Sequence, residues 1–217
     1  MNIKHQTAVW LNRITVMLLT LFISTQLHAD DLWEVVRNEQ GIEISLSKVS
    51  GSNYKMFRGE AMISAQAETI MAMLTHPDSC SLWRYKCKTF ISLGDSYHLM
   101  INDLPWPLSD RFVITRNILT DEFTLQITHV PLSELPPEQT NNLPDHDEHD
   151  GMIEMDEYSG FWKVEQLNSD EVNVIFQMQA NPAGSIPAAV INNGVVNNPF
   201  NSLLSLRKHV ATLSNVN

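Results

Sequence analysis

The sequence predicts an α+β domain in which a curved antiparallel β-sheet is wrapped around a long C-terminal helix. Three observations indicate this class. Apolar and polar residues alternate at period two in several short segments, turn signals such as Gln40-Gly41 and Thr120-Asp121 separate those segments, and an amphipathic helical segment lies near the C-terminus. Period-two alternation sends successive side chains to opposite faces of a sheet, so each predicted strand has one buried face.

The alternation is clearest in four stretches, which we interpret as strands of an antiparallel meander. Short strands separated by turns at this spacing are typical of such a sheet. The apolar sides of these strands are Ile42, Ile44 and Leu46; Phe112, Ile114 and Ile118, in phase with Arg116; Phe123, Leu125 and Ile127; and Val172, Val174, Phe176, Met178 and Ala180.

Two segments have helical spacing of apolar residues. The first runs from Gln66 to Thr75, and Pro77 ends it. The second follows residues 181–187, with Ser185 as a cap and Pro187 in the first turn. We expect this second helix to bend or break before a final amphipathic piece at residues 201–213, at Asn192, Asn193, Gly194 and Pro199.

The first 29 residues have the pattern of a secretory signal peptide. Lys4 and Arg13 precede the apolar run Ile14 to Ile23, which is too short for the roughly 20 residues that span a bilayer. We predict cleavage after Ala29, which leaves residues 30–217 as one domain in the periplasm or the medium. An uncleaved N-terminal anchor is the alternative, since Leu27 is larger than the residue usually found at that position.

Composition excludes nucleic acid as a partner. The formal net charge is −11 at pH 7, and loss of the first 29 residues, which contain two basic and no acidic side chains, makes it more negative. Phosphate backbones are bound by clusters of Lys and Arg, and the sequence contains no such cluster after Arg13.

Cys80 and Cys87 are the two cysteines of the chain. An oxidising compartment would allow a disulfide between them, closing a small loop around Trp83. Two separate thiols in the core are the alternative, because the sequence does not give the distance between their Cα atoms.

Motifs for metal, cofactor or catalysis are absent from the sequence. The acidic and histidine run Asp145 to Asp150 lies in an irregular stretch from Pro131 to Gly151, and it has neither zinc-ligand spacing nor a calcium-loop pattern. We interpret the stretch as a long solvated loop. No nucleophile elbow or phosphate-binding glycine loop occurs, so we expect no cofactor, no metal and no enzymatic activity.

Aromatic and sulfur-containing side chains are concentrated on the predicted inner strands and helices. They are consistent either with a packed core or with a hollow lined by soft apolar groups, and periodicity does not separate the two. These residues are Trp83, Trp106, Met152, Met155, Trp162, Phe176 and Met178.

The order of several short motifs resembles the START (StAR-related lipid-transfer) domain family, in the form of a secreted bacterial single-domain member. The resemblance covers residues 31–210. The motifs are Trp33 with Gly41 to Ile44, Phe57-Arg58-Gly59, Trp83 with Cys87, Pro105 to Arg111, Gly160 to Val164, and Asn181 to Pro187.

This resemblance implies a helix-grip fold and a tunnel that holds one lipid, sterol or similar hydrophobic molecule, with transient membrane contact during exchange. Residues 186–196 would form the lid. Arg111 and Arg116 are the candidate polar groups, for which structural salt bridges are the alternative role. The candidate tunnel lining is Trp83, Trp106, Arg111, Arg116, Phe176, Met178, Pro187, Val190, Ile191 and Val195.

The sequence departs from the family pattern in two places. Phe112 follows Arg111 where many members have Asp, and the stretch from Pro131 to Gly151 is long and acidic. Two other functions therefore stay open beside carriage of a ligand. One is a cyclase or hydrolase on the same scaffold, for which His98 and His129 are the nearby strand histidines; the other is an interaction module with a filled core.

Overall fold

The computed structural model describes residues 33–104, 108–144, 151–184, 186 and 188–214. The predicted signal peptide, Trp106, the run Asp145 to Asp150, Ser185 and Pro187 lie outside these residues, as do the side chains of Val190, Asn192 and Asn193. Within the described part, no helix is long and apolar enough to cross a membrane.

Ten strands of the described residues form one sheet. Neighbours in the order β1-β2-β3-β10-β9-β7-β6-β5-β4 are antiparallel, and the short β8 adds in parallel to β6. The strands are β1 Glu34–Glu39, β2 Ile42–Ser47, β3 Met56–Ile63, β4 Cys87–Gly94, β5 Tyr97–Asn102, β6 Arg111–Asp121, β7 Thr124–His129, β8 Ile153–Glu154, β9 Glu157–Asn168 and β10 Glu171–Asn181.

Four α-helical segments accompany the sheet: α1 Ala67–Thr75, α2 Cys80–Trp83, α3 Pro137–Thr140 and α4 Ala188–Ser214. Helix α4 packs mainly on β2, β3 and α2, and we call the sheet face that it covers the concave face. The predicted class, a curved antiparallel sheet with a C-terminal helix, is confirmed.

The predicted break within the C-terminal helix is wrong, because α4 is continuous from residue 188 to residue 214. Pro199 lies inside it and removes one main-chain donor from the helix. Its ring is buried, and a Cβ built on Gly59 of β3 would lie 3.4 Å from it. Tertiary packing against the sheet therefore offsets a local signal that favoured a break.

The main core lies between the concave face and α4. Trp162 of β9 and Phe176 of β10 are stacked with their ring centroids 3.7 Å apart, and Trp83 meets Trp162 edge-on at 5.5 Å. Leu203 and Leu206 of α4 are fully buried against this group. The predicted alternation of β10 thus places its apolar side chains under α4. The space between α4 and this part of the sheet is filled by packed side chains.

Helix α4 is also held by polar contacts near its C-terminal half. Arg207 donates to the carbonyl oxygens of Gln40 (2.6 Å) and Gly41 (3.1 Å) in the β1–β2 turn. The guanidinium of Arg37 lies 3.3 Å from the Phe200 ring centroid and donates to Asn197. These contacts join the middle and the second half of α4 to the first two strands and the turn between them.

The opposite, outer face is covered by the segment after β7. Phe112 and Ile114 of β6 form an apolar cluster there with Leu99 of β5, and Leu135 packs onto it. Residues 132–134 form a 3₁₀ turn and α3 follows, with Gln139 buried. Most side chains of residues 132–140 are exposed, as predicted for a solvated loop, but the stretch forms two short helical turns and buries Leu135 and Gln139.

Cys80 begins α2 and Cys87 begins β4, and the structure joins their sulfur atoms. Their Cα atoms are 6.2 Å apart, within the usual range for a disulfide. The closed loop contains Trp83 and Arg84, so the bond restrains the position of both side chains.

We expect substitution of Gly160 to destabilise the sheet, because a Cβ there would lie 2.1 Å from the Gln177 carbonyl oxygen. Gly160→Ala should lower the free energy of unfolding by about 3 kcal/mol, the upper range for overpacking. In the control Gly194→Ala, a Cβ meets no atom within 4 Å, and helix propensity predicts a gain of about 1 kcal/mol. Urea unfolding of both variants measures the difference; equal effects would contradict it.

Loss of the Cys80–Cys87 bond should also lower stability. For a loop of this length, the constraint on the unfolded chain corresponds to roughly 2–3 kcal/mol. We expect the double variant Cys80→Ser, Cys87→Ser to unfold at lower urea concentration than the oxidised protein, and to match the wild type measured in reductant. Reaction of both thiols with iodoacetamide in the native, unreduced protein would disprove the bond.

Candidate functional site

A pocket of about 270 Å³ lies on the concave face, beside the main core. It is bounded by the C-terminal end of α1 and by inner side chains of β4 to β7. Its size is close to the lower limit of about 300 Å³ for small-molecule sites. The lining is Leu74, Thr75, Phe90, Ser96, His98, Asn117, Ile118, Leu119 and Leu125.

Strand register explains why these side chains meet. Leu119 pairs with Leu125, and Asn117 pairs with Ile127 between β6 and β7. Residues two apart on a strand share a face, so Asn117 and Leu119 both point to the concave side with Leu125, a member of the main core. The pocket is therefore continuous with the apolar interior.

His98 is the titratable group of this pocket. Burial lowers its pKa, while the contact between Nδ1 and the Ser96 carbonyl oxygen (3.0 Å) opposes the shift. The ring stacks on Phe90 with centroids 4.9 Å apart. A lowered pKa leaves the imidazole neutral at pH 7, so it offers hydrogen bonding without a charge.

Asn117 contributes an unsatisfied acceptor. Its Oδ1 atom is buried and has no hydrogen-bond partner among the described residues. A buried acceptor without a partner is unfavourable by about 1–3 kcal/mol. A ligand donor or an ordered water would relieve this cost, which makes Asn117 a candidate contact for a polar ligand group.

Polar side chains continue from the pocket across the concave face. His98 of β5 pairs with Thr115 of β6, and Thr115 pairs with His129 of β7. Thr115 is buried, and the Nε2 atom of His129 is buried without a hydrogen-bond partner in the described part of the chain. We call His98, Thr115, His129 and Tyr158, which follows on β9, the polar row.

Arg84 is a functional candidate that the sequence reasoning missed. It follows α2, and its guanidinium lies 5.9 Å from the ring centroids of both Tyr158 and Phe176. Periodicity gives no signal for a residue at a helix end. The sequence offers one other indication, which is that Arg84 follows Trp83 and lies between the two cysteines.

Three of the candidate lining residues lie in the packed core. Trp83, Phe176 and Met178 are buried within the cluster under α4. Ile191 and Val195 on α4 are half-buried, and Val195 packs against that cluster. None of these five residues lines the pocket.

Arg111 is buried, and its role differs from the salt bridge considered from sequence. Its Nε donates to the Pro182 carbonyl oxygen (2.6 Å), and Nη1 donates to that of Ser109. No carboxylate of the described residues lies within 4.0 Å, and burial lowers its pKa. Arg111 thus ties β6 to the segment that enters α4.

Arg116 lies on the other side of the sheet from the pocket. It is exposed and pairs with Tyr97, whose ring centroid is 5.7 Å from its guanidinium. The alternation puts it in phase with Phe112 and Ile114, which belong to the outer cluster. The structure therefore does not bring Arg116 together with the other candidates.

The described residues contain no group of three His, Cys, Asp or Glu side chains that could hold a metal ion. His98 and His129 lie on either side of Thr115, and no carboxylate is recorded as an ion-pair partner of either ring among the described residues. Hydrogen bonding to a bound polar group is the chemistry that these side chains can supply.

Comparison with known proteins gives one close relative in sequence. No family model matches the chain. An uncharacterised protein of Pseudomonas aeruginosa is 30% identical over 200 residues, covering 90% of this chain and 95% of that protein.

Solved structures share the architecture. A STAR-related lipid transfer protein from Xanthomonas axonopodis is 28% identical, with a TM-score of 0.67 over 83% of this chain and 99% of that one. Human STARD10 gives a TM-score of 0.66 at 14% identity, over 83% of this chain and 74% of its own. Human StAR-related lipid transfer protein 5 gives 0.58 at 14% identity, over 95% of this chain and 99% of its own.

The two human proteins support the fold alone, while the bacterial protein shares both fold and sequence. Sheet order and the C-terminal helix agree with that likeness. The chain belongs to the same family as the Pseudomonas aeruginosa protein, and it has the START fold of the lipid-transfer domains.

Proposed function

We propose that the protein binds a lipid or sterol-like molecule on its concave face and carries it through water. The observation that supports this most directly is the pocket between α1 and β4 to β7, in which apolar side chains surround a few polar groups. The solved structures most like this chain in fold include proteins named for lipid transfer. Each Å² of apolar ligand surface removed from water contributes about 25 cal/mol.

A ligand larger than the pocket can enter only if part of the protein moves. We propose that the moving part is the first half of α4. Arg207 holds the second half of α4, and Arg37 holds it at Asn197, just before its midpoint. Gly194 in the first half is exposed and weakens the helix locally. We therefore propose that residues 188–196 move to admit the ligand, with transient membrane contact during exchange.

The experiment that tests carriage is native mass spectrometry of the protein purified from its own host, followed by solvent extraction of any bound molecule. A stoichiometric lipid or sterol-like molecule supports the proposal. A protein that is empty and ignores a panel of fluorescent lipids would favour an interaction module. A bound molecule that is chemically changed on incubation would favour an enzyme, with His98 and His129 as its candidate groups.

Leu119→Asp should reduce ligand occupancy by roughly tenfold, because a carboxylate beside an apolar ligand is poorly solvated. Leu119 lines the pocket and is 53% exposed. Leu167 of β9 is 51% exposed and lies outside the pocket, so Leu167→Asp is the matched control. Titration with a fluorescent lipid measures both variants; equal losses would place the site elsewhere.

We also propose that the protein acts outside the cytoplasm. The Cys80–Cys87 bond supports this, since structural disulfides persist in oxidising compartments. The predicted signal peptide provides the route of export.

The mature protein is expected to begin at Asp30. Intact mass and N-terminal sequencing of protein from the periplasm or the medium test this directly. A protein that keeps residues 1–29 and sediments with membranes would instead indicate the uncleaved anchor.

A further inference from the structure

Arg84 places a guanidinium against the interior of the fold. It caps the C-terminal end of α2, inside the loop closed by Cys80 and Cys87. Its Nη2 donates to the Tyr158 hydroxyl, and its Cζ is 5.9 Å from the ring centroid of Phe176, which is 1% exposed. The charged group therefore lies at the edge of the main core.

The charge of Arg84 is not balanced by an acid in the described part of the chain. Arg37 and Arg58 each pair with a glutamate, while Arg111 and Arg207 donate to backbone carbonyls. Arg84 is half-buried, and its recorded contacts are a phenol hydroxyl and two aromatic rings. Because a charge at the edge of an apolar core attracts an opposite charge more strongly than one in open water, this arrangement favours an external anion.

One further donor contacts the guanidinium, and another lies on the neighbouring strand. The Tyr158 oxygen accepts from Arg84, so its own O–H remains able to donate. Ile127 pairs with Gly160, and continuing this register places His129 beside Tyr158. The buried Nε2 of His129 has no partner among the described residues, and it can carry the third donor hydrogen.

We propose that Arg84, Tyr158 and His129 bind the anionic group, a carboxylate or a phosphate, of an amphipathic ligand whose apolar chain occupies the concave-face pocket. This inference rests on the proposed function and specifies its ligand class. Guanidinium, phenol and imidazole donors together match the acceptor oxygens of such a group. The polar row runs from Tyr158 to His98 across neighbouring strands, so the head group and the pocket lie on the same face of the sheet.

The experiment compares dodecanoate, dodecyl phosphate and methyl dodecanoate, three ligands that share a chain of about 12 carbons. A chain of this length buries a substantial apolar area and is short enough for titration in water. Calorimetric titration should show tighter binding of at least one anion than of the uncharged ester. Arg84→Gln should weaken binding of that anion by roughly ten- to a hundredfold and leave the ester unchanged. Whether dodecanoate or dodecyl phosphate shows the larger loss identifies the anion.

Arg116→Gln is the matched control, since Arg116 also lies over a tyrosine ring, at 5.7 Å, but on the outer face. It should bind all three ligands as the wild type does. Tyr158→Phe, which keeps the ring and removes one donor, should weaken the anion by a smaller factor, and thermal melts check that each variant is folded. Equal affinity for ester and anions, unaffected by Arg84→Gln, would overturn this inference and leave the proposed function standing. Failure of all three ligands to bind would also overturn this inference, and the native mass spectrometry described above would then decide the proposed function on its own.

Discussion

The approach of α4 to β2 and β3 is the contact on which the rest of the concave face depends. A Cβ on Gly59 would lie 2.9 Å from Leu203 and 3.0 Å from Ile44, so the helix can lie this close only where the strand has no side chain. Arg207 then fixes the second half of the helix to the β1–β2 turn. Because α4 packs on β2 and β3, it does not fill the concave side of β4 to β7. That side is bounded by the end of α1 and contains the pocket.

Much of the fold could be predicted from the sequence, because alternation and helical spacing are local signals. The apolar sides of β2, β7 and β10 were identified residue by residue, as Ile44 and Phe176 illustrate. The helix was predicted, but not its continuity. Pro199 costs a main-chain hydrogen bond within the helix, and only its packing against Gly59 of β3, distant in sequence, shows why the helix passes through it. The segment covering the outer face was missed for a similar reason, since Leu135 and Leu143, which pack there, are eight residues apart in a stretch of prolines and polar residues with no strand or helix period.

The candidate site was less predictable because it depends on register between strands and on the ends of short helices. Arg116 was in phase with Phe112 and Ile114, but the sequence alone does not show that this phase belongs to the outer face, since both faces of β6 are buried at its beginning. Arg84 had no periodic signal at all. Its position follows from a four-residue helix and from the bond between the flanking cysteines.

Two unsatisfied polar atoms on the concave face bear on the proposed binding of a ligand there. Asn117 Oδ1 and His129 Nε2 are buried among groups that do not hydrogen-bond them, and each such atom lowers stability by about 1–3 kcal/mol. An apolar residue at either position would avoid that cost and would suit a filled core better. Polar groups at these positions agree with the proposed binding, because a bound molecule that satisfies them stabilises the folded protein by an amount that rises with the logarithm of its affinity. A ligand that reached the polar row would thus link occupancy of the pocket to the stability of β5, β6 and β7, which lie outside the main contacts of α4 with β2 and β3.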